Sequence, residues 1–342
     1  MAIVPTPKIE NICKSWSDGA IGYATAFEPW AMPLAVQLAH AVGAHAPTCA
    51  SVVEVAAGAG GGAAYVQSLR ADALADGRFK HAVSDIAEPM VNMLQQRLAP
   101  QTDIQVANAE QLPYGDATFD AYTACLALMI TPDAPKMLAE ACRVLKPGGA
   151  AAFAVWGRKE ASPMMAIPPA SLKACGLETS PKRSNFHLGG EDTSALRAMV
   201  LNAGFGQMRT WRVHAVLPGA ASPDAYLSLM AEGSPSFGAL LGPLAPSDKT
   251  RVEAEMRRRA AAVLEGGEAI GCDILLFVAT KPGGRMATRG YSHVWGDGVY
   301  SAPQAEASSG GVNVKPHEGG QEAWAKAASD AQARKAAEQA TQ

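Results

Sequence analysis

Residues Glu54 to Tyr65 read EVAAGAGGGAAY: a carboxylate near the end of an apolar run, then four glycines within five positions. Glycines between a strand and a helix let backbone N–H groups come close to a ligand at the helix N-terminus, where the dipole and the unpaired donors favour a negative group. The stretch GAGGGA at 58–63 satisfies the dinucleotide fingerprint GxGxxG/A, and Asp85 ends the next apolar run, where an acid that binds a ribose would sit. The chemistry implied is the binding of a nucleoside.

Glu54 bears on which nucleoside. The first strand of a dinucleotide site is usually apolar at that depth, beside a pyrophosphate that a carboxylate would repel. A carboxylate there suits a cation. S-adenosylmethionine carries an ammonium, a carboxylate and a sulfonium and has no phosphate, so it competes with a nicotinamide or flavin dinucleotide for this turn. A structural acid bonding the amides of the turn is the remaining reading of Glu54.

The elements that must position these residues follow from periodicity. AMPLAVQLAHAVG at 31–43 has helical spacing and stops at a glycine, ahead of a first strand at Ala50 to Ala56. A second strand spans Phe79 to Ile86, a third is the short DIQVAN, a fourth spans Phe119 to Ile130, and AAAFAVW up to Trp156 is a fifth. Helical patterns separate them (AAYVQSLRADAL, EPMVNMLQQRL and DAPKMLAEACRVL), which predicts a doubly wound α/β fold with a mostly parallel sheet. From 157 to about 192 the alternation lapses into prolines and a basic SPKRSN stretch, read as an irregular cover. A helix over SALRAMVLNAGF and a strand over QMRTWRVHAVL follow. Two helices come next, one opened by Ser222 and Pro223 and one from about Ser247 to Glu265, and the final strand is Ala269 to Thr280. That last strand is expected to run antiparallel beside the fifth in a seven-stranded sheet. The roughly fifty residues between the last two strands should form a lid or a subunit contact, which leaves room for a homodimer.

Composition narrows the partners. The 342 residues are 48% hydrophobic with a formal charge of −3, which predicts a substantial core and calls for neither nucleic acid nor an anionic membrane surface. Six single cysteines (Cys13, Cys49, Cys125, Cys142, Cys175, Cys272) show no CxxC spacing and read as reduced thiols, with no metal site. The first nineteen residues lack a basic segment followed by a long apolar stretch, and no apolar run is long enough for a membrane span, so a cytoplasmic protein is expected.

Four segments in order carry a resemblance. EVAAGAG resembles the first motif of class I S-adenosylmethionine-dependent methyltransferases, and SDIAEPM the second. ANAEQLPYGDATFD resembles the third block, and FDAYTACLALMITPDAPKMLAEACRVLKPGG the remainder, down to the RVLKPGG turn before the fifth strand. Within the class the pattern is most similar to the ubiquinone/menaquinone biosynthesis type of small-molecule C-methyltransferase, the type 11 family. The resemblance spans Val52 to Trp156. It implies a Rossmann-like seven-stranded fold and S-adenosylmethionine as cofactor, held by Glu54, Ala56, Gly58, Gly60, Asp85, Ile86, Asn108, Ala109, Glu110 and Cys125. Asp85 would hold both ribose hydroxyls and Ile86 would lie against adenine. Ala56 stands where the family usually has glycine, which tightens ligand approach. Asn108 stands where aspartate is usual and can still accept through its carbonyl. The organisation expected is an N-terminal helical cap at 1–49, the cofactor-binding core at 50–156, a substrate cover with the remaining sheet at 157–280, and a low-complexity, disordered tail at 281–342.

The acceptor side is less legible. Methyl transfer from a sulfonium is an in-line displacement, helped by positioning and by exclusion of water, and a base helps if the acceptor is a phenol, an enol or an acidic carbon. His187 alone among the seven histidines lies in the cover segment, with an ordinary loop histidine as the competing reading. Tyr23, in GAIGYATAFEPW, matches the family segment that folds over the cofactor and could cap its methionine end, or pack as a structural tyrosine. His187 and Tyr23 are the candidate catalytic residues; Trp30, Met129 and Trp156 are candidates for the acceptor pocket, against a plain core role. The fourth strand ends in ACLALM without the [DNS]PPY-type motif of enzymes that methylate base amines, which argues against nucleic acid substrates. The expected activity is methylation of carbon or oxygen on a small molecule. A nicotinamide-dependent oxidoreductase and a non-catalytic cofactor-binding regulator are the alternatives.

Overall fold

Seven strands form one sheet in the computed structural model, which describes residues 9–177 and 188–283. They are β1 (Ser51–Val55), β2 (Lys80–Asp85), β3 (Asp103–Val106), β4 (Phe119–Cys125), β5 (Leu145–Trp156), β6 (Gln207–Val216) and β7 (Gly271–Thr280), in the order β3-β2-β1-β4-β5-β7-β6. The first five are parallel, and β7 is antiparallel to both β5 and β6, inserted between them as the sequence predicts. All five residues of β1 are buried, as a strand covered by helices on both faces requires. The order reverses between β1 and β4, and in open α/β sheets ligands bind at the carboxyl edge beside such a switch point.

An N-terminal helical segment covers this edge. It comprises α1 (Ile9–Asp18), α2 (Ala20–Gly22), a π-helical turn (Tyr23–Phe27) and α3 (Glu28–Ala41). The predicted helix therefore begins earlier than the apolar periodicity at 31–43. On α3, Trp30, Leu34 and Leu38 recur at four-residue spacing and are buried in the same core cluster as Ala152 and Ala154 of β5. Such burial stabilises by about 2 kcal/mol for each large apolar side chain.

The remaining helices are α4 (Gly61–Leu69), α5 (Ala71–Ala75), α6 (Glu88–Arg97), α7 (Ala134–Val144), α8 (Pro163–Ala174), α9 (Ser194–Asn202), α10 (Pro223–Gly233), α11 (Pro235–Leu241) and α12 (Pro246–Glu265). Three helices, not two, lie between β6 and β7. Ser222 and Ser234 accept from the N–H groups of Ala225 and Phe237 and open α10 and α11. The cover expected to be irregular from 157 to 192 contains α8. Pro168 and Pro169 lie inside that helix and remove two of its amide donors, yet Met164, Ile167 and Leu172 are buried in the second core cluster, so tertiary packing overrides the local preference.

The fourth strand stops at Cys125, short of the expected Ile130, because Leu126 turns the backbone into the left-handed region at φ 55. No helix of the described residues is long and apolar enough to cross a membrane. The tail assigned to 281–342 lies outside the described residues from 284 onward.

Candidate functional site

The glycine turn leaves β1 through Ala56, at φ 54, and Gly58, at φ 57. Asp85 holds this turn from the tip of β2: Oδ2 accepts the Gly58 N–H at 2.9 Å and Oδ1 accepts the Ala87 N–H at 3.0 Å. Burial pushes the Asp85 carboxyl up while the Ala87, Gly58 and Ile86 amides pull it down. A carboxylate has about four acceptor positions, so positions remain for donors such as ribose hydroxyls after these backbone bonds.

Ala56 and Leu126 are both non-glycine residues with left-handed backbones, at the carboxyl tips of the adjacent strands β1 and β4. Such residues cost roughly 1–2 kcal/mol each. The effect of Ala56 thus includes backbone strain in addition to the extra methyl read from the sequence.

Two carboxylates meet the start of α4. Glu54 is buried, and its carboxylate accepts the Ala63 N–H. Glu28, the first residue of α3, accepts the Gly61 N–H at 2.7 Å and pairs with Arg97 of α6 at 2.8 and 2.7 Å through its two oxygens. Arg97 also donates to the Ala59 carbonyl at 3.1 Å. The close approach requires the glycines, because a β-carbon on Gly62 would lie 2.7 Å from Oε1 of Glu54 and one on Gly61 would lie 3.0 Å from Oε1 of Glu28. Burial, and then Glu28, push the Glu54 carboxyl up to about 8 against the pull of the Ala63 amide. The site is thus acidic where a pyrophosphate would sit in a dinucleotide fold.

Aromatic residues close the cap side. Tyr23 packs edge-to-face against Trp16, with centroids 5.5 Å apart, and its ring lies over Gly58. Burial, followed by Cys125, Glu28, Asp85 and Glu54, pushes its hydroxyl far above the ordinary phenol range. Trp30 and Trp156, distant in sequence, stack at 5.8 Å, and the Trp30 indole donates to the Ala215 carbonyl at 3.2 Å. Met129 is fully buried in the core cluster of Tyr122 and Phe153. Cys125 is half-buried at the tip of β4, its thiol pushed up by burial and then by Glu54.

Just past the tip of β2, the Ile86 carbonyl accepts from the Cys13 thiol of α1 at 3.3 Å. The Asn108 carbonyl accepts the Glu110 N–H at 3.0 Å, so the oxygen expected to meet adenine also holds its own turn. Ala109 is half-buried against the core. Glu110 is buried and accepts from the Thr131 hydroxyl at 2.6 Å and the Asp133 N–H at 2.8 Å, ordering the start of α7. His187 lies outside the described residues.

Beyond the end of β5, buried Asp273 of β7 accepts from Arg158 at 3.1 Å and from Arg212 at 2.6 Å. Its own carbonyl takes the Gly157 N–H at 2.8 Å, and the Gly189 N–H bonds the Trp156 carbonyl at 2.9 Å. Sequence reading missed Glu28, Arg97, Trp16 and Asp273. Only Glu28 had a local signal, as an acid ahead of Pro29 at a helix start.

Residues 53–153 match the model of the methyltransferase domain family. Over 72 residues, 20% of the chain, the sequence is 49% identical to the ubiquinone/menaquinone biosynthesis C-methyltransferase UbiE of Bartonella bacilliformis. Over 81 residues, 22% of the chain, it is 42% identical to the UbiE of Brucella anthropi. The matched segments cover 28% and 31% of those relatives' own lengths. Among solved structures, the chain is similar to phosphoethanolamine N-methyltransferase 2 of Haemonchus contortus in complex with S-adenosyl-L-methionine, at 12% identity and a TM-score of 0.45. That likeness covers 82% of this chain and 60% of the other.

Proposed function

We propose, from the premise that residues 53–153 belong to the class I S-adenosylmethionine-dependent methyltransferase family, that this chain transfers a methyl group to carbon or oxygen of a small-molecule acceptor. The observation that carries the reading is the pair of carboxylates, Glu28 and Glu54, at the first amides of α4. A pyrophosphate there would meet the Glu28 carboxylate already seated on the Gly61 amide and would keep the proton on Glu54; a phosphate-free nucleoside bearing an ammonium and a sulfonium would favour release of that proton.

The residues present fit that cofactor. Asp85 would take the ribose hydroxyls on its remaining lone pairs, Ile86 would lie against adenine, and Asn108 with Ala109 would meet the adenine edge. Glu54 supplies a carboxyl near the ammonium, whose charge favours loss of the carboxyl proton. Gly58 and Gly60 provide bare backbone in the turn, and Tyr23, whose hydroxyl keeps its proton, supplies a donor for the methionine carboxylate. Bound cofactor would supply an electrophilic methyl on a sulfonium: the acceptor's electron pair would form the new bond to that methyl as its bond to sulfur breaks to leave a thioether, and the acceptor's proton would pass to a base or to water.

The chain's own contribution is alignment and the exclusion of water. On this reading residues 1–49 form the cap and residues 50–156 hold the cofactor. Residues 157–280 complete the acceptor half, with Trp30 and Trp156 as an aromatic wall and His187 as the candidate base. The half-buried Trp156, backed by the buried Trp30, suits a planar, apolar acceptor such as a phenol or an enol.

The test is incubation of the purified chain with S-adenosylmethionine and a panel of phenols, enols and acidic carbon compounds, followed by mass spectrometry. Acceptors gaining one methyl, with matching release of S-adenosylhomocysteine, would support the reading. Absence of both cofactor binding and transfer would reject it.

A further inference from the structure

We infer that Glu28 makes this site select a phosphate-free nucleoside by filling the anion position at the start of α4, with Arg97 holding it there. The inference rests on the cofactor reading above and deepens it, because Glu28 lies in the cap, outside the matched residues 53–153. The Glu28 carboxylate is itself the anion on this helix: it takes the Gly61 N–H at 2.7 Å and the Arg97 guanidinium at 2.7 Å. Its side chain is only 16% exposed, so the contact is a packed one. The fit is shaped from both sides. Gly61 has no β-carbon to push Glu28 away, and Met32, one turn further along α3, occupies the other flank of Gly61.

Removal of the carboxylate would leave the Gly61 amide, the positive end of α4 and a released Arg97 guanidinium around one space. That combination is the chemistry of a phosphate site. With Glu28 present, the same atoms are satisfied internally and a phosphate is repelled. The GxGxxG/A pattern in the sequence thus describes a turn able to bind a phosphate, and a residue 33 positions upstream of Gly61 closes it to that ligand.

Titration calorimetry of the full chain, with S-adenosylhomocysteine and ADP as probes, tests this on wild type, Glu28→Ala, Glu28→Gln and the double variant Glu28→Ala/Arg97→Ala. Glu28→Ala is expected to bind ADP about thirtyfold more tightly than wild type, and the double variant to lose that gain. Glu28→Gln keeps an acceptor for Gly61 and removes the charge, so it serves if alanine loosens the cap; it is expected to gain ADP affinity as well. Folded Glu28 variants, verified by circular dichroism, that bind ADP no better than wild type would overturn the inference. If wild type binds neither S-adenosylmethionine nor S-adenosylhomocysteine, the cofactor reading falls, and the ADP comparison still decides the role of Glu28 separately.

Discussion

The ring of Tyr23 rests on Gly58: a β-carbon placed on that glycine would lie 2.8 Å from Cε1 of the tyrosine. The contact joins the cap to the turn that follows β1. It also sets the chemistry open to Tyr23, whose hydroxyl is driven far above the ordinary range by burial and by Cys125, Glu28, Asp85 and Glu54. A phenol in that position donates a hydrogen bond and does not serve as a base near neutral pH. Tyr23→Phe should therefore raise the Kd for S-adenosylhomocysteine about tenfold and leave kcat within about twofold. A collapse of kcat with unchanged affinity would assign Tyr23 to the chemical step instead.

Asp85 orders the turn through Gly58 and Ala87, and on the proposed reading also takes the ribose hydroxyls. Asp85→Ala removes both functions. Its affinity for S-adenosylhomocysteine should fall by about a hundredfold or more, measured by calorimetry. Unchanged affinity would show that the nucleoside binds elsewhere.

Glu54 couples binding to protons. Its carboxyl is held up to about 8, so at pH 7 the unliganded site carries a proton there, and a cationic ligand favours its release. The groups facing it are Glu28 of α3, with its Arg97 partner on α6, the Ala63 amide of α4, the Cys125 thiol of β4 and the Tyr23 hydroxyl of the cap. Affinity for S-adenosylmethionine should rise with pH from about 5 to about 8, then level off, with a limiting slope of about tenfold per unit. Calorimetry at pH 7 in phosphate and in Tris should give different heats, in proportion to nearly one proton released. Glu54→Gln should erase that difference, and identical heats in wild type would contradict the assignment.

Ala56 offers a stability test. Its φ of 54 lies where glycine is favoured, and relief of that strain is set against the packing of its half-buried methyl on the core. Ala56→Gly should stabilise the chain by about 1 kcal/mol, seen as a rise in Tm of a few degrees. A lower Tm would mean that the methyl packs usefully against the core.

Asp273 is buried with its charge shared between Arg158 and Arg212. Burial alone would raise its carboxyl, and the two guanidinium groups hold it below the usual range. Asp273→Ala strands Arg212, which is only 26% exposed, and removes the acceptor of the Arg158 amide and guanidinium. A loss of about 3 kcal/mol in urea unfolding is expected.

Much of this architecture was readable from local pattern. The alternation of apolar runs and helical stretches located all seven strands, and the position of Glu54 at the end of the first identified the acidic character of the turn. Other features depend on contacts that no local pattern records. Glu28 and Arg97 meet across 69 positions, and Trp30 stacks on Trp156 across the whole of the matched domain. The prolines of α8 signalled a break, but buried Met164 and Leu172 hold that segment helical. Asn108 and Glu110 were legible as polar residues in the third block, and only folding reveals that the Glu110 carboxylate is taken up by Thr131 and Asp133. The strain at Ala56 and Leu126 is a backbone property, invisible until the tips of β1 and β4 are built.

The central claim is that the acidic glycine turn binds a phosphate-free sulfonium nucleoside. Titration of the wild-type chain with S-adenosylmethionine, S-adenosylhomocysteine and NADH tests it most directly. The account predicts saturable binding of both sulfur ligands, with Kd on the order of micromolar, and no heat from NADH. Saturable NADH binding with none for either sulfur ligand would contradict it.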